Sequence, residues 1–350
     1  MQYLFSRNID LIFLYLPLTL LWGSFFILPE KIIDGELNLA VWVIFVLGID
    51  VSHVWSTLFR TYFDKQEFAR HKRFLLWSPL LIITVVFLLV YISISLFWSV
   101  LAYVAVFHFI KQQYGFLALY RYRTKTFKNG IKKWQDKLVI YGATVLPVLL
   151  WHLNPETRLA WFVEGDFINL KVSKELYQVL VMIFSSIYFL YFFYWIYLNL
   201  KAHSLRVGLL LWVIFTILNW YGAIVFLNSD FIFTTTNVVA HGVPYFVLMA
   251  FYKSKVAERT QKYNFLKWLS IIFFTVLLFA FVEEYFWDTL LFAEKPELFG
   301  EAWKLETDQS PALRALFFAL LALPQIWHYF ADGIIWKAND KNPSLRKVFK

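Results

Sequence analysis

Four of the seven histidines, His53, His108, His241 and His328, lie one apiece inside long apolar runs, each a similar distance from the basic end of its run. Imidazole in hydrocarbon is costly unless it is paired or liganded, so a histidine at that depth points to function and asks for a partner. Each has a polar companion three or four residues away, the spacing that shares a helical face: Asp50 in GIDVSHVW, Gln112 in FHFIKQQYGF, Asn237 in TNVVAHGVPYF and Asp332 in PQIWHYFADG. Tyr245, one turn past His241, and Gln325, one turn before His328, extend the polar stripe. The chemistry these types serve together is metal ligation, because a metal-bound histidine usually donates its second ring hydrogen to a carboxylate or carbonyl. The expected site has the four histidines as metal ligands, Asp50, Asp332, Gln112 and Tyr245 as catalytic groups, and Asn237 and Gln325 beside the cofactor. In a variant of this scheme three histidines bind and the fourth, His241, orients substrate.

A single buried histidine is more often a hydrogen-bonded packing residue, so the argument rests on four at one depth, and a water-filled polar pore is its main competitor. The other polar residues carry less. His71 and His203 are expected in solvated loops, His152 at the outer interface, and Glu283 and Glu284 as interfacial carboxylates. Asn219 and Asn237 are also expected to hydrogen-bond between helices, as intramembrane amides commonly do. Pro244 and Pro324 remove backbone donors and predict bends near the histidines.

The elements that position these residues follow from composition: 60% of the 350 residues are apolar, 21% aromatic and 16% charged. No soluble domain needs so much apolar surface. A hydrocarbon core about 30 Å thick takes ~20 helical residues to cross, which predicts an all-α polytopic bundle of about ten spans near 9–28, 38–59, 74–92, 94–120, 137–152, 176–199, 207–227, 231–252, 266–290 and 312–336. The first run is a full span preceded by Arg7, with no small-residue cleavage site after it. With no repeat or Pro/Gly-rich linker, residues 1–350 read as one transmembrane domain.

Lysine and arginine placement supports that count, because cytoplasmic loops are enriched in them. Arg7, the group Arg60, Lys65, Arg70, Lys72 and Arg73, the stretch RYRTKTFKNGIKKWQDK, Lys201 with Arg206, the group Lys253, Lys255, Arg259, Lys262 and Lys267, and the tail from Lys337 all fall on one side. The opposite loops are acidic: Glu30, Asp34 and Glu36; Glu156, Glu164 and Asp166; and Glu294, Glu297, Glu301, Glu306 and Asp308. Both termini are therefore expected in the cytoplasm, in an integral, multi-pass protein of the cell membrane. Topology and anionic lipid headgroups account for the net charge of +9. Membrane lipids are the expected partners and nucleic acid is not. Under this topology the four histidines sit ~8–12 residues, about 12–18 Å along a helix, before the cytoplasmic ends of the second, fourth, eighth and tenth spans.

The absence of cysteine removes thiolate sites, iron–sulfur clusters and disulfides. Imidazole with nearby carboxylate suits iron, zinc, copper or nickel and disfavours magnesium or calcium. A closed four-histidine zinc site would be structural, whereas iron needs open positions to meet dioxygen. A centre walled by apolar residues best serves oxidation of a lipid-soluble substrate, since excluding water protects reactive species. The reading is a non-haem Fe(II) oxygenase. In its several apolar spans carrying single histidines, about four of them ligands, the chain resembles the Brp/Blh-type membrane dioxygenases that cleave β-carotene to retinal, a likeness of architecture and histidine number that implies an iron centre and a carotenoid- or isoprenoid-like substrate. The clustered HxxxH and HxxHH boxes of membrane desaturases are absent. The alternatives are a haem-binding redox protein, with facing histidines on one iron, and a proton-coupled transporter using Asp50, Asp332 and the histidines as a relay.

The loop charges generate a direct test in a chain with no native cysteine. Single cysteines near 125, 203 and 258 are expected to react from the cytoplasmic face and those near 163 and 300 from the outside, following the basic-loop rule. Labelling of 163 and 203 from the same face would refute the ten-span scheme.

Overall fold

The computed structural model describes residues 2–28, 38–126, 131–157, 160–257, 264–300, 310–337 and 342–349. Among these the fold is all-α, with one isolated β-bridge between Ala160 and Glu164. Nine described helices are long and apolar enough to cross a membrane: α1 Arg7–Phe25, α2 Leu39–Arg60, α3 Lys65–Ile92, α4 Ile94–Thr124, α5 Lys133–Leu153, α6 Lys174–Lys201, α7 Val207–Phe226, α8 Asp230–Val256 and α9 Phe265–Phe292. A further apolar pair, α10 Pro311–Leu321 and α11 Leu323–Ile335, meets at a 42° bend and brings the number to ten if the two are taken as one broken span. This is a polytopic membrane architecture. The acidic residues Glu30, Asp34, Glu36, Glu301, Glu306 and Asp308 and the basic residues Lys128, Arg259 and Lys262 lie outside the described residues.

Helix starts are set by short polar side chains that take up otherwise unbonded amides. Ser6 accepts from Ile9, Asn38 from Val41, Ser173 from Leu176, Asn264 from Lys267 and Ser310 from Leu313. Asp64 caps α3 by accepting from the amides of Gln66 and Glu67. Burial alone would raise its carboxyl, but the Glu67 amide, Lys253, the Tyr252 hydroxyl and the Gln66 amide together hold it below the usual carboxylate range. The stability this gives is therefore complete above the unfolded value of about 3.9 and drains away as pH falls through the depressed folded value.

Because of that cap, α3 begins at Lys65 rather than near 74 and carries His71, expected in a loop, inside the helix at a kink with φ −111° and ψ 18°. His203 does lie in a turn, with φ 49°. Pro324 sits in the first turn of α11, just past the bend, where its missing N–H is harmless. The helix from Asp230 to Ala257 continues through Pro244.

Two compact units emerge: one of Met1–Leu37, Ala102–Pro244 and Lys337–Lys350, the other of Asn38–Leu101 and Tyr245–Trp336. In the first, Trp151, Trp220, Phe233, Phe109 and Phe167 form the aromatic core. At its basic end the fully buried Arg121 of α4 donates to both carboxylate oxygens of Asp136 on α5, each at 2.9 Å, and to Asn199 of α6 at 2.6 Å. Trp195 donates to the same Asp136 at 3.0 Å. Near the N-terminus Asp10 accepts from the amides of Leu4 and Phe5 and from the Tyr120 hydroxyl, while Tyr15 donates to the Gly208 carbonyl. Gly208 is required there, because a Cβ would stand 2.7 Å from the Tyr120 ring and 3.0 Å from the Gln2 carbonyl.

The second unit packs Trp42 and Leu47 of α2 on Ala280 of α9 and on Phe299. Trp55 of α2 donates to Glu283 of α9 at 2.6 Å, so Glu283, expected at the interface, is buried and bonded. The backbone of α2 changes winding along its length, from a π-helix over Trp42–Val51, through a regular turn at Ser52–Ser56, to a 3₁₀ turn at Thr57–Arg60.

Removing one partner of a buried ion pair leaves an uncompensated charge and typically costs about 3–5 kcal/mol. Asp136→Ala is expected to lower stability by that order in detergent unfolding, whereas the joint Arg121→Met, Asp136→Leu variant recovers much of the loss. Equal loss in both variants would show that packing, not charge, holds these three helices.

Candidate metal centre

His53 lies just past the π-helical stretch of α2, and such wide turns are found frequently at functional sites. Its ring is buried, with Nδ1 3.1 Å from the Ile49 carbonyl. A carbonyl only accepts, so Nδ1 carries the hydrogen and the lone pair is left on Nε2. Asp50 Oδ1 stands 3.9 Å from the same Nδ1, on the side expected of an orienting group rather than a ligand.

His328 of α11 belongs to the same unit and is fully buried, its ring centroid 5.0 Å from that of His53 at an 82° interplanar angle. Each of the two offers a ring nitrogen within 4.8 Å of the other's, a span close to what two ligands on one ion require at ~2.0–2.1 Å bonds. The hydrogen bonds behind His328 have a direction. Tyr245 donates its single hydroxyl hydrogen to Asp332 Oδ1 at 2.6 Å and accepts from Trp336 Nε1 at 3.3 Å. Thr57 Oγ1, 2.9 Å from the Tyr245 oxygen, must then donate to it, and Thr57 accepts in turn from His328 Nδ1 at 2.7 Å. The donors run from His328 through Thr57 and Tyr245 to the Asp332 carboxylate. This places the lone pair of His328 on Nε2, as in His53. Asp332 Oδ1 is itself 3.7 Å from His328 Nδ1.

The other unit contains the second pair. His108 and His241 are buried with ring centroids 5.0 Å apart at 80°. Phe109 stacks on the His241 ring at 4.0 Å and 14°, fixing its plane. Gln112 donates to the His241 carbonyl at 3.1 Å, so its amide nitrogen secures the backbone of α8 rather than serving the ring of His108, its companion in sequence.

Asn237 donates to the Phe233 carbonyl at 3.0 Å and, between helices as expected, to the Asn219 carbonyl at 3.4 Å, and Gln325 donates to the Tyr329 hydroxyl at 2.8 Å. Asn219 accepts from Trp22 Nε1 at 2.9 Å, a second interhelical bond. His152, expected at the outer interface, is buried within the protein, and its Nε2 lies 2.9 Å from the Tyr103 hydroxyl. Thr57 and Trp336 were not anticipated; the signal for Thr57 was its place one turn after His53, on the same helical face. No family model, curated protein or solved structure matches the chain.

The donor directions can be read by ¹⁵N NMR of histidine-labelled protein. His53 and His328 are expected as Nδ1–H tautomers, and Thr57→Val is expected to change the His328 signal while leaving His53 as it was. An Nε2–H signal from His53 would contradict the arrangement.

Proposed function

We propose that the chain is an integral membrane non-haem iron oxygenase in which His53, His108, His241 and His328 are the ligand set, acting on a lipid-soluble substrate, a lipid or an isoprenoid- or carotenoid-like molecule. The observation that carries this reading is the pairing of buried imidazoles, with Nδ1–H of His53 and His328 anchored so that Nε2 is basic. A pair is one or two ligands short of the three or four protein ligands a metal site commonly uses, so we propose that both pairs serve a single ion. Their common depth in the sequence favours this.

Iron suits this donor set because nitrogen ligands without thiolate leave room for open positions. Fe(II) bound here supplies the one-electron chemistry by which dioxygen reacts with a closed-shell hydrocarbon. The chain's own residues do the rest. The Ile49 carbonyl, with Asp50 beside it, holds the His53 ring, and Asp332, through Tyr245 and Thr57, holds the His328 ring, each in one tautomer and orientation. Aromatic neighbours such as Phe109 and Tyr245 exclude water and leave an apolar substrate the favoured occupant. The haem alternative is disfavoured within either pair, since ring centroids 5.0 Å apart leave no space for a macrocycle between them.

Metal analysis of purified protein after anaerobic Fe(II) loading is expected to give about one ion per chain. His53→Ala, His108→Ala and His328→Ala should each lose metal, and Asp50→Asn and Asp332→Asn should weaken binding or oxygen-dependent turnover by ~10–100-fold with the fold retained. Full metal content in all three histidine variants would make the rings packing residues and end the oxygenase reading. An intense Soret band would move it to haem.

A further inference from the structure

Arg60 closes α2 at its basic end, two turns past His53, and its side chain is fully buried. The guanidinium carbon lies 3.7 Å from the ring centroid of Trp336 and 4.7 Å from that of Tyr252. Those contacts satisfy its face, but a guanidinium also carries five N–H donors around its edge. Among the described residues, Nε, Nη1 and Nη2 have no hydrogen-bond partner.

The contrast with Arg121 is informative. That arginine is equally buried, yet it reaches Asp136 twice, Asn199 and the Ser204 carbonyl. Around Arg60, by comparison, the carboxylates already have partners. Asp64 accepts from the Gln66 and Glu67 amides and the Tyr252 hydroxyl and faces Lys253 at 3.7 Å. Glu67 accepts from Arg70 at 2.6 Å and faces His71 at 3.7 Å. Asp332 takes the Tyr245 hydrogen. A buried charge whose edge finds no protein acceptor is strongly unfavourable unless something else completes it.

We infer that Arg60 receives the carboxylate of an amphiphilic substrate, a long-chain carboxylic acid whose apolar chain runs along α2 toward His53. This rests on the oxygenase reading for the reacting end and on Arg60 alone for the head. A planar fork stacked on an aromatic ring offers paired donors in one plane, the geometry that takes a carboxylate bidentately, and one guanidinium balances the single charge of a carboxylate rather than the nearly double charge of a phosphate monoester. Seven residues separate His53 from Arg60, about 10 Å along the axis, so head and reacting carbon lie several methylenes apart. Trp336 ties the two ends together, stacking on Arg60 and bonding Tyr245.

The test uses full-length protein in nanodiscs, with oleate, methyl oleate, 2-oxoglutarate and inorganic phosphate as probes in equilibrium binding and thermal unfolding. Oleate is expected to bind and raise the unfolding temperature, by linkage. Arg60→Gln should weaken oleate at least about tenfold, the loss of charged hydrogen bonds, while leaving methyl oleate binding and metal content unchanged. Arg60→Lys, which keeps charge but not the fork, should fall between the two and supplies the same comparison if the glutamine variant does not fold. The inference is overturned if oleate shifts neither protein, if the Arg60 variants bind oleate as tightly as the parent, or if phosphate alone binds through Arg60. Binding of 2-oxoglutarate in place of oleate would assign the carboxylate to a water-soluble acid and overturn the long-chain substrate. Oleate binding that depends on Arg60 in a chain that takes up no metal would leave this site standing and remove the oxygenase.

Discussion

In hydrocarbon a polar side chain has no water to fall back on, so each buried donor and acceptor must be met within the protein or by what the protein binds. That constraint organises most of the interior of this chain. It explains why Asp10 gathers backbone amides and the Tyr120 hydroxyl, why Asp136 sits under Arg121, and why Trp55 and Glu283 meet between α2 and α9. It also turns the few polar groups that look beyond such closed sets into functional signals.

The run from His328 through Thr57 and Tyr245 to Asp332 is where this constraint becomes chemistry. With the Asp332 carboxylate accepting from Tyr245, one hydroxyl hydrogen on each oxygen fixes the order of donors, and that order decides which ring nitrogen carries the lone pair. A tautomer is thereby set by side chains that need never touch a ligand. The same economy appears in α2, whose wide turn precedes His53 and whose tight turn presents Thr57 and Arg60. A uniform α-helix would rotate these three side chains differently about the axis.

The two buried arginines mark two uses of one residue type. Arg121 is closed on all sides and joins three helices; Arg60 is closed on its faces by rings and open at its edge. The first use needs no ligand to be complete. On the reading above the second does, and it sets substrate polarity at a distance from the site of reaction.

The apolar spans were legible in the sequence, because bilayer thickness demands a long apolar run and that run is local. The companions Asp50 and Asp332 were legible for the same reason, being three and four residues from their histidines along one helix. The extension of α3 back to Lys65 was hidden, since a charged first turn with a cap carries little apolar signal. Burial of His152 and Glu283 was hidden as well, because each is enclosed by helices distant in sequence. Thr57 lies 271 positions from His328 and Arg60 still farther from Trp336, so no periodicity relates them. Local sequence therefore determined which side chains lie in apolar membrane-spanning helices, through helix length and hydropathy. Only the tertiary structure decided which of them meet, because side-chain hydrogen bonds of this kind are made across helices, where sequence spacing carries no information.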